Sequence, residues 1–258
     1  MFKHIITRTP CEKIVDGITG SPELGTPNYA NAVEQHKTYI QTLNSLGLPV
    51  LVLPSLEDFP DSCFVEDVAL VLKDCAIITN PGADTRNAEI NYIKDALSLF
   101  YKEDKIFNIT GQATLDGGDV MMVGNILYVG LSARTNEAGI KSLSDIVSQF
   151  GVKVIKIALE EVLHLKTGVV YLENNTLLCY GEFMSTPEFK DYKKIEIPAD
   201  ESYAANCIWV NDVVIVPKGY PKVLKSIQDA GYKTITCDTS EFKKIDGGLS
   251  CLSLRLPV

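Results

Sequence analysis

The sequence predicts an α/β ring built from about five repeated strand-strand-helix-strand units, and three observations carry that expectation. A polar residue opens a short apolar run at Asp67, Asp116, His164, Asn206 and Cys251, positions that lie 49, 48, 42 and 45 residues apart. A period of this size marks a repeated supersecondary unit. Within each unit two strand-like runs flank a turn, and a helix-spaced apolar stretch and a further strand follow. The segment from Cys251 onward lacks a second strand and a helix of its own, whereas 1–9 offers a strand and 31–46 a helix. Pairing the C-terminal strand with the N-terminal one removes the open edges that a repeat array otherwise has to cap. The alternative is an open mixed α/β sheet, in which the two ends would stay apart.

The elements follow in order. Strand 1–9 leads through helix 31–46 to strand 49–54, a Val-Leu-Val-Leu run between two prolines. Runs 68–72 and 75–79 flank Lys73 and Asp74, and runs 120–123 and 126–129 flank Gly124 and Asn125. Runs 169–172 and 176–180 flank Glu173, Asn174 and Asn175, and runs 208–210 and 213–216 flank Asn211 and Asp212. Short turns rich in Gly, Asn and Asp between apolar runs read as hairpins. Ile90, Ile93, Ala96, Leu97 and Phe100 recur at helical spacing, as do Ile140, Leu143, Ile146, Val147 and Phe150, and 221–230 behaves alike. Strands 152–158, 194–198 and 234–237 complete their units. The polar stretch 16–30, with Gly17, Gly20, Gly25 and two prolines, has no periodicity and reads as a mobile flap inside the first unit.

Composition agrees with one catalytic domain over 1–258, because no Pro/Gly/Ser linker, charge block or low-complexity segment divides the chain. No signal-peptide pattern opens it and no apolar run approaches membrane-spanning length, so the expected setting is cytoplasmic. The seven cysteines are odd in number and lack metal-ligand spacing, which favours free thiols and no bound metal. A net charge of −9 argues against nucleic-acid and membrane partners and permits a cationic ligand.

Arginine is scarce: of 24 basic residues only Arg8, Arg86, Arg134 and Arg255 are Arg. Arg86 and Arg134 sit at equivalent hairpin-to-helix junctions, where a guanidinium can grip a carboxylate through two hydrogen bonds. If the unit-opening residues converge on the ring axis, Glu66, Asp67, Asp116, Asp119, His164 and Cys251 share one cavity. Carboxylates beside a nucleophilic thiol suit a planar cation better than an acyl group, whose developing oxyanion they would repel. A bound cation also favours thiolate over thiol. His164 can then protonate a departing amine and afterwards deprotonate water. Plainer readings exist: Cys251 as a buried apolar residue, His164 as a structural hydrogen bonder, Asp116 as a turn former. His36 reads as a helix-surface residue and His4 as a strand residue.

Six ordered motifs, Phe-Val-Glu-Asp (64–67), Leu-Asp-Gly-Gly-Asp-Val (115–120), Ser-Ala-Arg-Thr-Asn (132–136), Leu-His-Leu-Lys (163–166), Ala-Ala-Asn-Cys-Ile (204–208) and Asp-Gly-Gly-Leu-Ser-Cys (246–251), resemble those of the dimethylarginine dimethylaminohydrolases. The resemblance runs over essentially the whole chain. It implies a five-bladed α/β propeller of the guanidino-modifying superfamily around a central active-site cavity. It also implies hydrolysis of Nω,Nω-dimethyl-L-arginine and Nω-methyl-L-arginine to L-citrulline and an amine without metal or organic cofactor, and a possible homodimer. Carried over by motif, Cys251 is the nucleophile, His164 the acid and base, and Asp116 an orienting carboxylate. Ile18, Asp61, Glu66, Asp67, Arg86, Arg134 and Ile245 match substrate-holding positions. Asp116 departs from some bacterial relatives, expected to carry Glu there, and looks like the animal enzymes. An arginine deiminase, an amidinotransferase, a citrulline-type ureido hydrolase or a catalytically idle amino-acid-binding module are the other readings.

Overall fold

The computed structural model describes residues 1–160 and 162–257. In it β1 (His4–Arg8) is followed by α1 (Tyr29–Ser45) and β2 (Val50–Leu53), and the two strands run parallel. The Asn28 side chain accepts a hydrogen bond from Asn31 N and so caps α1, satisfying one amide that the first helical turn leaves without a partner. Strands β3 (Ala69–Val71) and β4 (Ala76–Ile78) form an antiparallel hairpin, and a 3-10 helix over Asp84–Tyr92 and α2 (Lys94–Ser98) return the chain to β5 (Ile106–Asn108). The third unit repeats the plan with β6 (Val120–Val123), β7 (Ile126–Leu131), α3 (Glu137–Val147) and β8 (Lys153–Ala158). Strands β9 (Val169–Tyr171), β10 (Thr176–Cys179) and β11 (Lys193–Glu196) make the fourth unit. Strands β12 (Ile208–Val210) and β13 (Val213–Pro217), α4 (Pro221–Asp229) and β14 (Lys233–Cys237) make the fifth, followed by α5 (Ser240–Lys243) and β15 (Leu254–Leu256).

Each unit is a three-stranded sheet with an antiparallel hairpin and a parallel third strand, and there are five such blades among the described residues. Ring closure is explicit, for β15 pairs antiparallel with β1 at His4 with Leu256, Ile5 with Arg255 and Ile6 with Leu254. The apolar core is distributed in the same way, as five buried clusters each bridging two neighbouring blades. One joins the fifth blade to the first through Ile208, Ile215, Ile5 and Tyr39. Another joins the first to the second through Ile6, Leu254, Val68 and Ile78. No blade can bury both of its faces alone, so each depends on its neighbours and the ring closes on itself.

Three expectations need correction. Strand β5 was not foreseen, because its three residues follow the charged run Lys102 to Lys105 and show no alternation. The fourth blade has no α-helix between β10 and β11, where two 3-10 turns, Gly181–Met184 and Pro187–Phe189, drive the fully buried Phe183 and Phe189 into the core. His36 is buried on the inner face of α1 with Ala32, Tyr39 and Leu43, not on the helix surface. The segment 16–30 carries a 3-10 turn over Pro22–Leu24 and is fastened to the rim by Ile18 N donating to Asp61 Oδ1 (3.1 Å) and Gly20 N to Asp246 Oδ2 (2.5 Å).

Candidate active site

The inner strand of every blade begins within five residues of its opening polar residue, so β3, β6, β9, β12 and β15 bring Asp67, Asp116, His164, Asn206 and Cys251 toward the ring axis. Eight of the ten expected residues then line one pocket: Ile18, Asp61, Asp67, Arg86, Arg134, His164, Ile245 and Cys251. Asp116 and Glu66 do not. Asp116 is fully buried beneath the pocket wall. Its Oδ1 accepts a hydrogen bond from Gly82 N (2.7 Å), and its Oδ2 lies 3.4 Å from His164 Nε2, too poorly aligned for a hydrogen bond. Glu66 lines a second cavity, where Lys166 Nζ (2.6 Å) and Arg255 Nη2 (2.9 Å) claim its Oε1. Both residues lie in the turn ahead of β3, where Asp67 N donates to the Phe64 carbonyl (3.3 Å), and of the pair only Asp67 reaches the pocket.

The loop from Asp246 to Cys251 is shaped by close approaches. A side chain at Gly247 would run into the Phe64 ring, and one at Gly248 into Asn206. Asn206 Oδ1 accepts from Ser250 Oγ (3.2 Å), and Cys251 O accepts from Glu66 N (3.2 Å), which pins the thiol's backbone to the second blade. Burial, reinforced by the charges of Glu66 and Asp67, pushes the Cys251 thiol up to about 12, so the resting group is a neutral thiol.

His164 is the opposite case. Burial works against its charged form, but the contact with Asp116 and the fields of Asp119, Asp67 and Asp116 together raise it to about 9. It therefore holds a proton at neutral pH. Asp67 stays below the usual carboxylate range despite its burial, because Arg86 and His164 stabilise its charge and Gly118 N donates to Oδ1 (2.9 Å). Asp61 is raised, since burial outweighs the nearby Arg86.

The two arginines differ in kind. Arg86 is buried and spent: Nε and Nη2 hold Glu89 (3.0 and 2.9 Å), Nη1 holds Asp67 (2.6 Å), and Nη2 also reaches the carbonyls of Phe64 (3.0 Å) and Asp61 (3.3 Å). Of five guanidinium N–H groups one remains. Arg134 is half-buried at the pocket, and its guanidinium makes no hydrogen bond or ion pair among the described residues.

Comparison with known proteins places this geometry. The family model described as N,N dimethylarginine dimethylhydrolase, eukaryotic, matches residues 25–186. The N(G),N(G)-dimethylarginine dimethylaminohydrolase of Pseudomonas aeruginosa is 52% identical over 99% of this chain and 100% of its own length. The chain belongs to the dimethylarginine dimethylaminohydrolase family. The Streptomyces coelicolor dimethylarginine dimethylaminohydrolase is 30% identical over 98% of this chain and 97% of its own. A solved structure of the Pseudomonas enzyme, a cysteine-to-serine mutant complexed with citrulline, matches with a TM-score of 0.97 at 51% identity, covering 99% of this chain and all of that one.

Within this dimethylarginine dimethylaminohydrolase fold, four pocket residues escaped the sequence reading: Phe64, Leu163, Asp246 and Gly247. Leu163, a large apolar side chain left 39% exposed, gave a signal only through its place beside His164. Asp246 adopts a left-handed backbone (φ 57°), and the Gly-Gly that follows marked the turn but not its contact with Phe64. Asp67, Asp116 and His164 bring one donor atom each within 4.8 Å of one another. Both Asp67 oxygens already accept hydrogen bonds, one of them from a guanidinium, so the trio is better suited to handling protons than to ligating a cation.

Proposed function

We propose that Cys251, His164 and Asp116 carry out the chemistry by which this chain hydrolyses Nω,Nω-dimethyl-L-arginine and Nω-methyl-L-arginine to L-citrulline plus dimethylamine or methylamine. One observation supports the assignment above the rest: the Cys251 thiol and the His164 imidazole share a pocket with three carboxylates, Asp61, Asp67 and Asp246, and with the guanidinium of Arg134, unpaired among the described residues, charges that match the two cationic groups and the carboxylate of a guanidino amino acid.

In this reading Asp67 holds the guanidinium end. Asp61, with Ile18 and the Ile245 backbone, faces the α-ammonium. Arg134 takes the α-carboxylate, joined by the one N–H that Arg86 has left. Glu66 acts from below the pocket, through its charge and through its bond to the Cys251 carbonyl. The arriving guanidinium stabilises the thiolate, and the thiol proton passes to solvent. Sulfur attacks the guanidinium carbon and forms a tetrahedral adduct. His164 gives its proton to the methylated nitrogen, the C–N bond breaks, and a Cys251 S-alkylthiouronium remains. The now neutral His164, oriented by Asp116, takes a proton from water. The hydroxide adds to the same carbon, the C–S bond breaks, and citrulline leaves.

The test follows citrulline and released amine across dimethylarginine, monomethylarginine, arginine and citrulline, with Cys251→Ser as the blank. Ammonia from arginine outpacing dimethylamine from dimethylarginine would move the assignment to a deiminase. Undiminished turnover by Cys251→Ser would remove the thiol from the mechanism. We also propose that 1–258 works as one cytoplasmic catalytic domain and pairs as a homodimer without nucleic-acid or membrane partners. Light scattering at twice the 28.3 kDa chain mass would support the dimer.

A further inference from the structure

The mechanism leaves one buried carboxylate of the third blade unused. Asp119 is fully buried, and all of its bonds lead to loops that carry site residues. Its Oδ1 accepts from Leu165 N (3.0 Å), the amide next to His164. Its Oδ2 accepts from Ser132 Oγ (2.6 Å) and Thr135 Oγ1 (2.7 Å). Ser132 Oγ in turn accepts from Arg134 N (3.0 Å), and Thr135 Oγ1 from Asp116 N (3.1 Å). Three loops, bearing the acid and base, the free arginine and the orienting carboxylate, thus converge on one side chain. Room for it is kept by Gly130, whose added Cβ would lie 3.1 Å from Oδ1.

A turn former needs one such bond, and a buried carboxylate is costly to keep charged without several donors. Burial pushes the Asp119 carboxyl up, against the pull of His164 and its three donors. An Asn has a single acceptor oxygen and could not take the amide on one side and both hydroxyls on the other, so the site calls for a carboxylate, whose charge also acts on the nearby imidazolium.

We propose that Asp119 is a positioning residue for the hydrolysis, whose single carboxylate sets the loops of His164, Arg134 and Asp116 in register and places negative charge near the imidazole. The inference rests on the function proposed above and deepens it. Two variants separate its parts. Asp119→Asn removes the charge: by NMR without substrate, the His164 titration midpoint falls by about 1 or more, and the pH at which kcat/KM stops rising moves down with it. Its kcat falls on the order of tenfold or more. Ser132→Ala keeps the carboxylate but frees the Arg134 amide, so KM rises several-fold while the His164 midpoint stays in place. The proposal is overturned if Asp119→Asn loses thermal stability alone, with midpoint and pH profile unmoved, or if Ser132→Ala leaves KM unchanged. Should Asp119→Asn not fold, Ser132→Ala still decides the positioning role. If the unaltered chain released no citrulline from dimethylarginine, the function would fail, whereas the NMR midpoint would still judge Asp119.

Discussion

Replacing each of the two pocket arginines by Met should give opposite phenotypes. Arg86→Met removes a buried cation and leaves Asp67 and Glu89, which it binds at 2.6 and 2.9 Å, as uncompensated buried carboxylates. Breaking a buried pair by deleting one partner costs about 3–5 kcal/mol. For a chain of this size each kcal/mol lowers Tm by about 2–4 °C, so a drop of roughly 10 °C is expected. The deficit should shrink as pH falls. Without Arg86 the folded-state pKa of both carboxyls rises above the unfolded value, and protonation then relieves the charge. Arg134→Met breaks no ion pair among the described residues, and its stability should stay within about 0.5 kcal/mol of the parent. On the proposed reading it loses instead a charge-assisted contact to the substrate carboxylate of about 1.5–3 kcal/mol, which should raise KM by roughly 10- to 100-fold. Circular-dichroism melting at pH 5 and pH 7.5, alongside citrulline kinetics, reads both effects. Equal melting of the two variants, or Arg86→Met melting within about 2 °C of the parent, would refute the division of labour.

Cys251 should resist iodoacetamide at neutral pH and react about tenfold faster per pH unit up to at least pH 10, since its thiol is pushed to about 12; a plateau near pH 8.5 would contradict the neutral resting thiol. On the proposed mechanism kcat/KM for dimethylarginine should rise about tenfold per pH unit, as the neutral thiol must lose a proton, and stop rising at about pH 9, where His164 loses the proton assigned to the leaving amine. A rate that climbs unbroken through pH 10 would take that role from it. His36 is lowered from 6.5 to about 4 by burial, so the unfolded chain binds the extra proton between those values and stability falls as pH drops through that window. About 2 kcal/mol should be lost by pH 5, and His36→Leu should flatten the slope in urea titrations; an unchanged slope would mean that the ring is solvated.

The repeat, the hairpins and the pairing of the last strand with the first were legible because each depends on local pattern: apolar alternation, short Gly/Asn/Asp turns and a period of 42 to 49 residues. The thiol and the imidazole were legible for a related reason. A residue just ahead of an inner strand has few places to point except the axis.

Choices between chemically equal neighbours were not legible. Glu66 and Asp67 are adjacent carboxylates, yet one answers Arg255, 189 residues away, while the other answers Arg86, 19 residues on and beyond the β3–β4 hairpin. Arg86 and Arg134 occupy matching junctions, and only the packing of Glu89 and Asp67 around the first makes it structural. His36 reads as polar on a polar helix until the fifth blade's apolar residues close over that face. By itself the sequence determined the ring, its closure and the approach of Cys251 and His164 to one cavity, because these follow from the period and from the place of each residue ahead of its strand. Only the tertiary structure decided which charges face the substrate and which neutralise one another, because compensation between buried charges is settled by distances of a few ångströms between segments far apart in the chain.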